Sequence, residues 1–98
     1  MEQRISFDAY VIDALMPDLV GHDHRPAAFL VYAWLWRHTR GAARSTVASY
    51  RMIADGTGLS KRAVQQAIAL LARRRLVEIA RKSATASPAY SLICHWRR

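Results

Sequence analysis

Residues 49–77, SYRMIADGTGLSKRAVQQAIALLARRRLV, limit what this chain can become more than any other stretch. They hold two helical periodicities separated by a short glycine-bearing break, so two helices must meet at a sharp corner and share one apolar seam. Ser49 caps the first helix, whose inward face is Tyr50, Ile53 and Ala54. Asp55-Gly56-Thr57-Gly58 breaks the pattern, with two glycines available for the positive φ of a tight turn. Leu59 plugs the corner and Ser60 caps the second helix. On a wheel of about 100° per residue, Val64, Ala67, Ile68 and Leu71 share one arc, and Arg62, Gln65, Gln66, Ala69 and Arg73 share the opposite one, with Lys61 at the boundary.

That outward arc carries guanidinium and amide groups, which can bond base edges, around a small Ala69 that allows close approach or contact with a thymine methyl. It has no acidic residue, which a helix pair serving packing alone would not require. The order Ala54, Gly58, Leu59, Val64 resembles the helix-turn-helix family, in which a small residue, a turn glycine and a buried aliphatic occupy these relative positions.

Charge points the same way. Residues 1–24 hold one basic residue, Arg4, against Glu2, Asp8, Asp13, Asp18 and Asp23; the other fourteen basic residues face only Asp55 and Glu78, and the total is +8. So basic a block suits a polyanion. Anionic membrane is the weaker partner, because the long apolar run, residues 27–36, is too short to span a bilayer. Ninety-eight residues suit one domain that folds without staples. A lone cysteine, Cys94, supplies no disulfide framework and suits a reducing cytoplasm. The amino terminus shows no export pattern.

Taken in order, residues 5–20 read as an extended lead and then a helix from about Asp8 that Pro17 ends or kinks, followed by a connector, residues 21–24. Pro26 opens a helix over residues 26–39 that is apolar nearly all round, with Trp34 and Trp36 among residues that cannot all face one neighbour. One side must therefore pack on the two later helices and another on the amino-terminal segment or a second copy. Residues 45–48 form a very short strand. Residues 76–82 and 90–96 alternate as two strands around the polar tip 83–88, the second with Tyr90, Leu92, Cys94 and Trp96 on one side.

Helix, short strand, helix, recognition helix and hairpin is the order of a winged helix-turn-helix. The expected fold is mainly α with a small β-hairpin (α+β): one domain over 1–98, with an extra helical extension over 1–24 and a winged-helix core over 25–98. With its flanks included, Asp13-Ala14-Leu15-Met16-Pro17-Asp18-Leu19, Trp36-Arg37-His38-Thr39-Arg40-Gly41 and Thr57-Gly58-Leu59-Ser60, the chain resembles the N-terminal domain of phage replication protein O and related replication initiators. That resemblance implies binding of origin DNA.

The sequence reading is a non-enzyme that binds double-stranded DNA, with transcriptional regulation as its role. A phage- or plasmid-type replication module and a protein-interaction winged helix are the alternatives. Ser60, Lys61, Arg62, Gln65, Gln66, Arg73, Arg81 and Lys82 are the expected DNA-binding residues, Arg81 and Lys82 from the base of the wing. Arg73-Arg74-Arg75 serves either phosphates or the helix dipole. His22, His24, Cys94 and His95 lack metal-site spacing, so neither metal nor cofactor is expected. Localisation is expected to be cytoplasmic and nucleoid-associated, with a homodimer through residues 8–36.

Overall fold

The computed structural model describes residues 3–97. Three α-helices carry the core: α1 (Pro26–His38), α2 (Tyr50–Thr57) and α3 (Lys61–Arg73). Beside them lies a three-stranded antiparallel sheet of β1 (Thr46–Val47), β2 (Val77–Ala80) and β3 (Ala89–Leu92), in the order β1-β3-β2. Val77 pairs with Leu92 and Ala80 with Ala89, and Val47 pairs with Ala89 on the other edge of β3. This is a winged helix-turn-helix, and the β2–β3 hairpin is its wing.

Local chemistry explains the helix ends. The Ser49 hydroxyl accepts from Met52 N at 3.1 Å and the Ser60 hydroxyl from Ala63 N at 3.0 Å, so each of α2 and α3 begins on a satisfied cap. Gly58, at φ +81°, closes α2 in the left-handed region and donates to Ala54 O. The break was expected over residues 55–58, but Asp55, Gly56 and Thr57 are helical. Of the two glycines in that stretch, Gly58 alone uses its conformational freedom. Gly56 is needed for space: a Cβ there would lie 2.1 Å from Trp34 Nε1. The Thr57 hydroxyl bonds Ile53 O at 2.7 Å, which lets a β-branched residue sit in the last turn.

The core is the seam the periodicities implied. Val64, Ala67, Ile68 and Leu71 of α3 meet Ile53 and Ala54 of α2 and Ala28, Val31, Tyr32, Leu35 and Trp36 of α1, with Tyr90 and Leu92 closing it from the sheet. Among the described residues the buried Tyr90 hydroxyl has no hydrogen-bond partner, and the buried Tyr32 hydroxyl has only the weakly bonding Cys94 thiol beside it. Burial pushes the Tyr90 hydroxyl up to about 12 and the Tyr32 hydroxyl further, so both stay un-ionised.

The amino-terminal extension differs in detail from expectation. It is helical from Ala9 to His22, wound as two wide π-type segments, Val11–Leu15 and Asp18–His22, and Pro17 does not end it. Pro17 lies between the segments at φ −63° and ψ −30°, a helical conformation whose φ is the one its ring fixes. Gly21 and His22, expected in a connector, belong to the second segment. Val11, Leu15 and Leu19 form its buried stripe at four-residue spacing. Residues 6–8 run across α1, where Ser6 O accepts from Trp36 Nε1 at 2.8 Å and Phe7 lies against the Trp36 ring. The second apolar side of α1 is thus covered by the same chain.

Three carboxylates fasten the extension. Asp8 accepts from Trp96 Nε1 at 2.8 Å and from Arg97 Nε and Nη2 at 2.7 and 2.9 Å, while Asp18 and Asp23 both take the Arg74 guanidinium. Arg74 is therefore a structural clamp. Both Arg74 and Arg97 are held more firmly protonated by these bonds. Trp96 stacks on Tyr10 at 4.5 Å, so the chain after β3 leaves the strand pattern, which was expected to run to residue 96, and folds back on the extension.

Candidate nucleic-acid interface

Helix α3 presents Lys61, Arg62, Gln65, Gln66, Ala69 and Arg73 to solvent, and Ser60 is exposed at its cap. The expected outward arc is the observed one. Its members nevertheless divide by position. Arg73 lies twelve residues from Lys61, roughly 18 Å along the axis, so it flanks whatever the amino-terminal half contacts. Gln66 is on the side that turns toward the start of α1, where His24, Arg25 and Pro26 approach Ala63 and Ala67. Arg62, Gln65 and Ala69 remain on the outermost surface.

The start of α3 shares an open groove with the wing. Ser49, Tyr50 and Arg51 from α2, Lys61 from α3, Arg81, and residues 85–88 of the wing tip line a concavity of about 270 Å³. Arg81 and Lys82, expected at the base of the wing, lie past the last residue of β2, at the tip side of the hairpin. Arg81 Nη1 donates to Ala86 O at 3.1 Å and Ala86 N to the Ser83 hydroxyl at 3.2 Å. These bonds order the tip and hold Arg81 in the lining of the groove; Lys82 is exposed beside it and is not part of that lining. The tip itself carries no charge to oppose them.

Arg51 is the group that periodicity alone passed over. A signal for it was present. A cation in the first turn of a helix faces the positive end of the dipole, at a cost of about 0.3–1 kcal/mol, and neither α2 nor α3 has an acidic residue in its first turn. Arg51, Lys61 and Arg62 are all so placed. Helix stability gives no reason for three such cations, whereas phosphate does, because the free N–H groups and dipole of each helix start attract the same anion that the cations do. The wing and α3 surfaces are thus joined into one basic face, with the exposed Gln65 and Gln66 amides beside it.

Other chemistry finds no such assembly. Among the described residues the metal-ligating side chains that come within 4.8 Å of one another are Asp18, His22 and Asp23, and not the group His22, His24, Cys94 and His95. Their carboxylates already hold Arg74. Asp23 is drawn below the ordinary carboxylate range, first by His22 beside it at 3.0 Å and further by Arg74. Cys94 is half-buried, and burial pushes its thiol up, away from the thiolate a nucleophile needs. Trp36 is 2% exposed and Trp34 is stacked on His38, so neither is a platform for bases. Among the described residues no helix is long and apolar enough to cross a membrane.

A family model described as a helix-turn-helix domain matches residues 25–77, from the first residue before α1 to the start of β2. No curated protein and no solved structure matched the chain. The matched stretch exceeds half of the chain and contains the capped α2–α3 corner, the Gly58 turn and the outward face of α3, and the chain belongs to the helix-turn-helix domain family.

Proposed function

We propose that this protein binds double-stranded DNA in a sequence-specific way and serves as a transcriptional regulator. Helix α3 enters the major groove. Arg62 and Gln65 read base edges, with Ala69 allowing close approach, and Lys61, Gln66 and the Ser60 hydroxyl sit at the margins of the reading surface. Arg81, Lys82 and Arg51 hold the phosphates on the flank, and Arg73 reaches the backbone from the far end of the helix. The observation that carries this reading is the set of cations at the starts of α2 and α3, which oppose the helix dipoles and border an outward arc without carboxylates.

The reading takes residues 1–98 as one non-catalytic domain acting in the cytoplasm on nucleoid DNA. A replication role is the second reading, supported by the likeness of residues 13–19, 36–41 and 57–60 to phage replication initiators. Selection of bound fragments from random duplexes tests both: an enriched motif supports sequence-specific binding, and its occurrence at promoters or at an origin separates regulation from replication. Retention of random DNA with no enriched motif would refute base reading.

A homodimer through residues 8–36 now rests on Ile12, Val20 and Leu30, which are 40%, 38% and 47% exposed, since Trp36 is covered within the chain. A symmetric selected site with half-sites about one turn, roughly 34 Å, apart supports it. A solution mass near 11.1 kDa removes it.

A further inference from the structure

Five of the fifteen basic residues lie around a second concavity, of about 740 Å³, that shares no residue with the groove beside the wing. Arg37, Arg40 and Arg44 come from the end of α1 and the loop after it, Arg4 from the extended lead, and Arg97 from the chain beyond β3. The wing tip joins β3 at Ala89, whereas Arg97 follows its other end, Leu92, so this cavity is at the end of the strand remote from the wing. Asp8 is the acidic residue among its described lining, and Arg97 already holds it. Arg37 donates to the neutral Gln3 amide oxygen. Four guanidinium groups therefore border the cavity with no carboxylate partner among the described residues.

Helix-dipole compensation does not account for them. The end of α1 carries about half a negative charge, and its last carbonyls are already bonded: Leu35 O by Thr39 N and Oγ1, Trp36 O by Gly41 N, and Trp34 O by His38. One arginine would offset that charge; four exceed it. Nor does packing require them, since Arg4, Arg40 and Arg44 are exposed. The wall between them is rigid, because Trp36 is pinned to Ser6 O, and Arg97 donates to Gly41 O at 2.9 Å and lies over the Trp36 ring.

The geometry points to a second anion site here, independent of the α3 surface, that takes a ligand with closely spaced phosphates. Guanidinium forks pair with carboxylate and phosphate alike, and charge density selects between them. Acidic side chains would each have to be ordered separately to bring comparable charge into one cavity, whereas linked phosphates arrive already spaced. A free polyphosphate and the backbone of a second nucleic-acid segment both supply that chemistry.

The test uses the full isotope-labelled chain and inorganic tripolyphosphate. The Trp36 indole N–H resonance should shift in a saturable way. Arg4→Ala with Arg44→Ala should weaken that binding about ten-fold or more, with an unchanged unfolding midpoint showing that the fold is kept. Lys61→Ala with Arg62→Ala, on the other face, should leave it within about two-fold, as expected for independent sites. An absent Trp36 shift, or equal affinity in the Arg4/Arg44 variant, overturns the site, and equally tight binding of a hexaglutamate peptide overturns the choice of phosphate. For the source, protein saturated on an immobilised duplex is offered a second, labelled duplex. Capture that the Arg4/Arg44 variant loses assigns the site to a second segment, and tripolyphosphate binding without capture assigns it to a free ligand. Because tripolyphosphate binding is read without DNA, failure of the α3 assignment leaves this result standing.

Discussion

Replacing Gly56 by alanine should destabilise the protein even though the residue is helical and alanine is the better helix former. In the absence of neighbours the change would stabilise α2 by about 1 kcal/mol. The structure opposes this, because the new methyl would lie 2.1 Å from Trp34 Nε1, 2.8 Å from its Cδ1 and 3.0 Å from its Cε2. Trp34 cannot simply slide. Its ring is stacked on His38 at 3.8 Å between centroids, and His38 Nδ1, 2.9 Å from Trp34 O, must donate to that carbonyl. If the indole swings out, it gives up roughly half of the 150–250 Å² a tryptophan buries, about 2–3 kcal/mol. Overpacking in place, against a contact as short as 2.1 Å, falls in the upper part of the usual range, about 2–3 kcal/mol. The net loss is therefore about 1–2 kcal/mol, a fall in Tm of about 4–15 °C for a chain of this size. Thermal unfolding followed by circular dichroism measures it, and the cycle with Trp34→Ala isolates the clash. With the indole gone, Gly56→Ala should stabilise by up to about 1 kcal/mol. An unchanged or higher Tm for Gly56→Ala in the native background would refute the close-approach argument.

Arg62→Ala or Gln65→Ala should weaken specific DNA binding by about 1–3 kcal/mol while folding is kept; equal losses on specific and random duplexes by fluorescence anisotropy would count against base reading. Arg81→Ala with Lys82→Ala should lower affinity for all duplexes and flatten the salt slope by about one unit per lost phosphate contact, and an unchanged slope would take the wing out of the interface. Asp8 and Asp23 are both held below the ordinary carboxylate range, Asp8 mainly by Arg97 and then Trp96, so the stability they contribute is present above about pH 4 and lost as pH falls further. Asp8→Asn should remove part of that acid sensitivity, as read from tryptophan fluorescence against pH; an identical profile would exclude Asp8 as its source. Tyr32→Phe removes a buried hydroxyl that faces only the weakly bonding Cys94 thiol and should raise stability by about 1 kcal/mol, whereas a loss in chemical denaturation would mean that the hydroxyl–thiol contact is a net stabiliser.

How much was legible depended on whether a local pattern decides the structure. The α2–α3 corner was readable because caps, turn glycine and apolar spacing all act within a few residues of one another: Ser49, Gly58, Ser60 and the Val64–Ala67–Ile68–Leu71 arc appear where expected. In the wing the expected alternation holds for β3, where Tyr90 and Leu92 are buried, but not for β2, where Val77 alone is buried and Ile79 is exposed. Gly56 misled, since a glycine kept for space looks in sequence like a glycine kept for its φ, and the atom that demands it, on Trp34, is 22 residues away. Pro17 marks the junction of two segments and not an end, and the wide-turn winding on either side of it has no periodic signature of its own. Arg51 was missed because its neighbour across the groove, the wing tip, is more than 30 residues further along.

The acidic extension makes sense once the ion pairs are placed. Its carboxylates at Asp8, Asp18 and Asp23 consume Arg97 and Arg74, both of which lie outside the groove that α2, α3 and the wing form. None reaches Arg51, Lys61, Arg62, Arg81 or Lys82 through an ion pair among the described residues. The extension thus docks by charge and by the Trp36, Tyr10 and Trp96 contacts, covers the second side of α1, and still leaves the basic face bare. Had the same carboxylates paired with α3, they would have competed with phosphate for its cations. Because exposed ion pairs contribute little individually, the docking depends chiefly on the buried stripe of Val11, Leu15 and Leu19. The carboxylates set where the extension lies more than how tightly it holds.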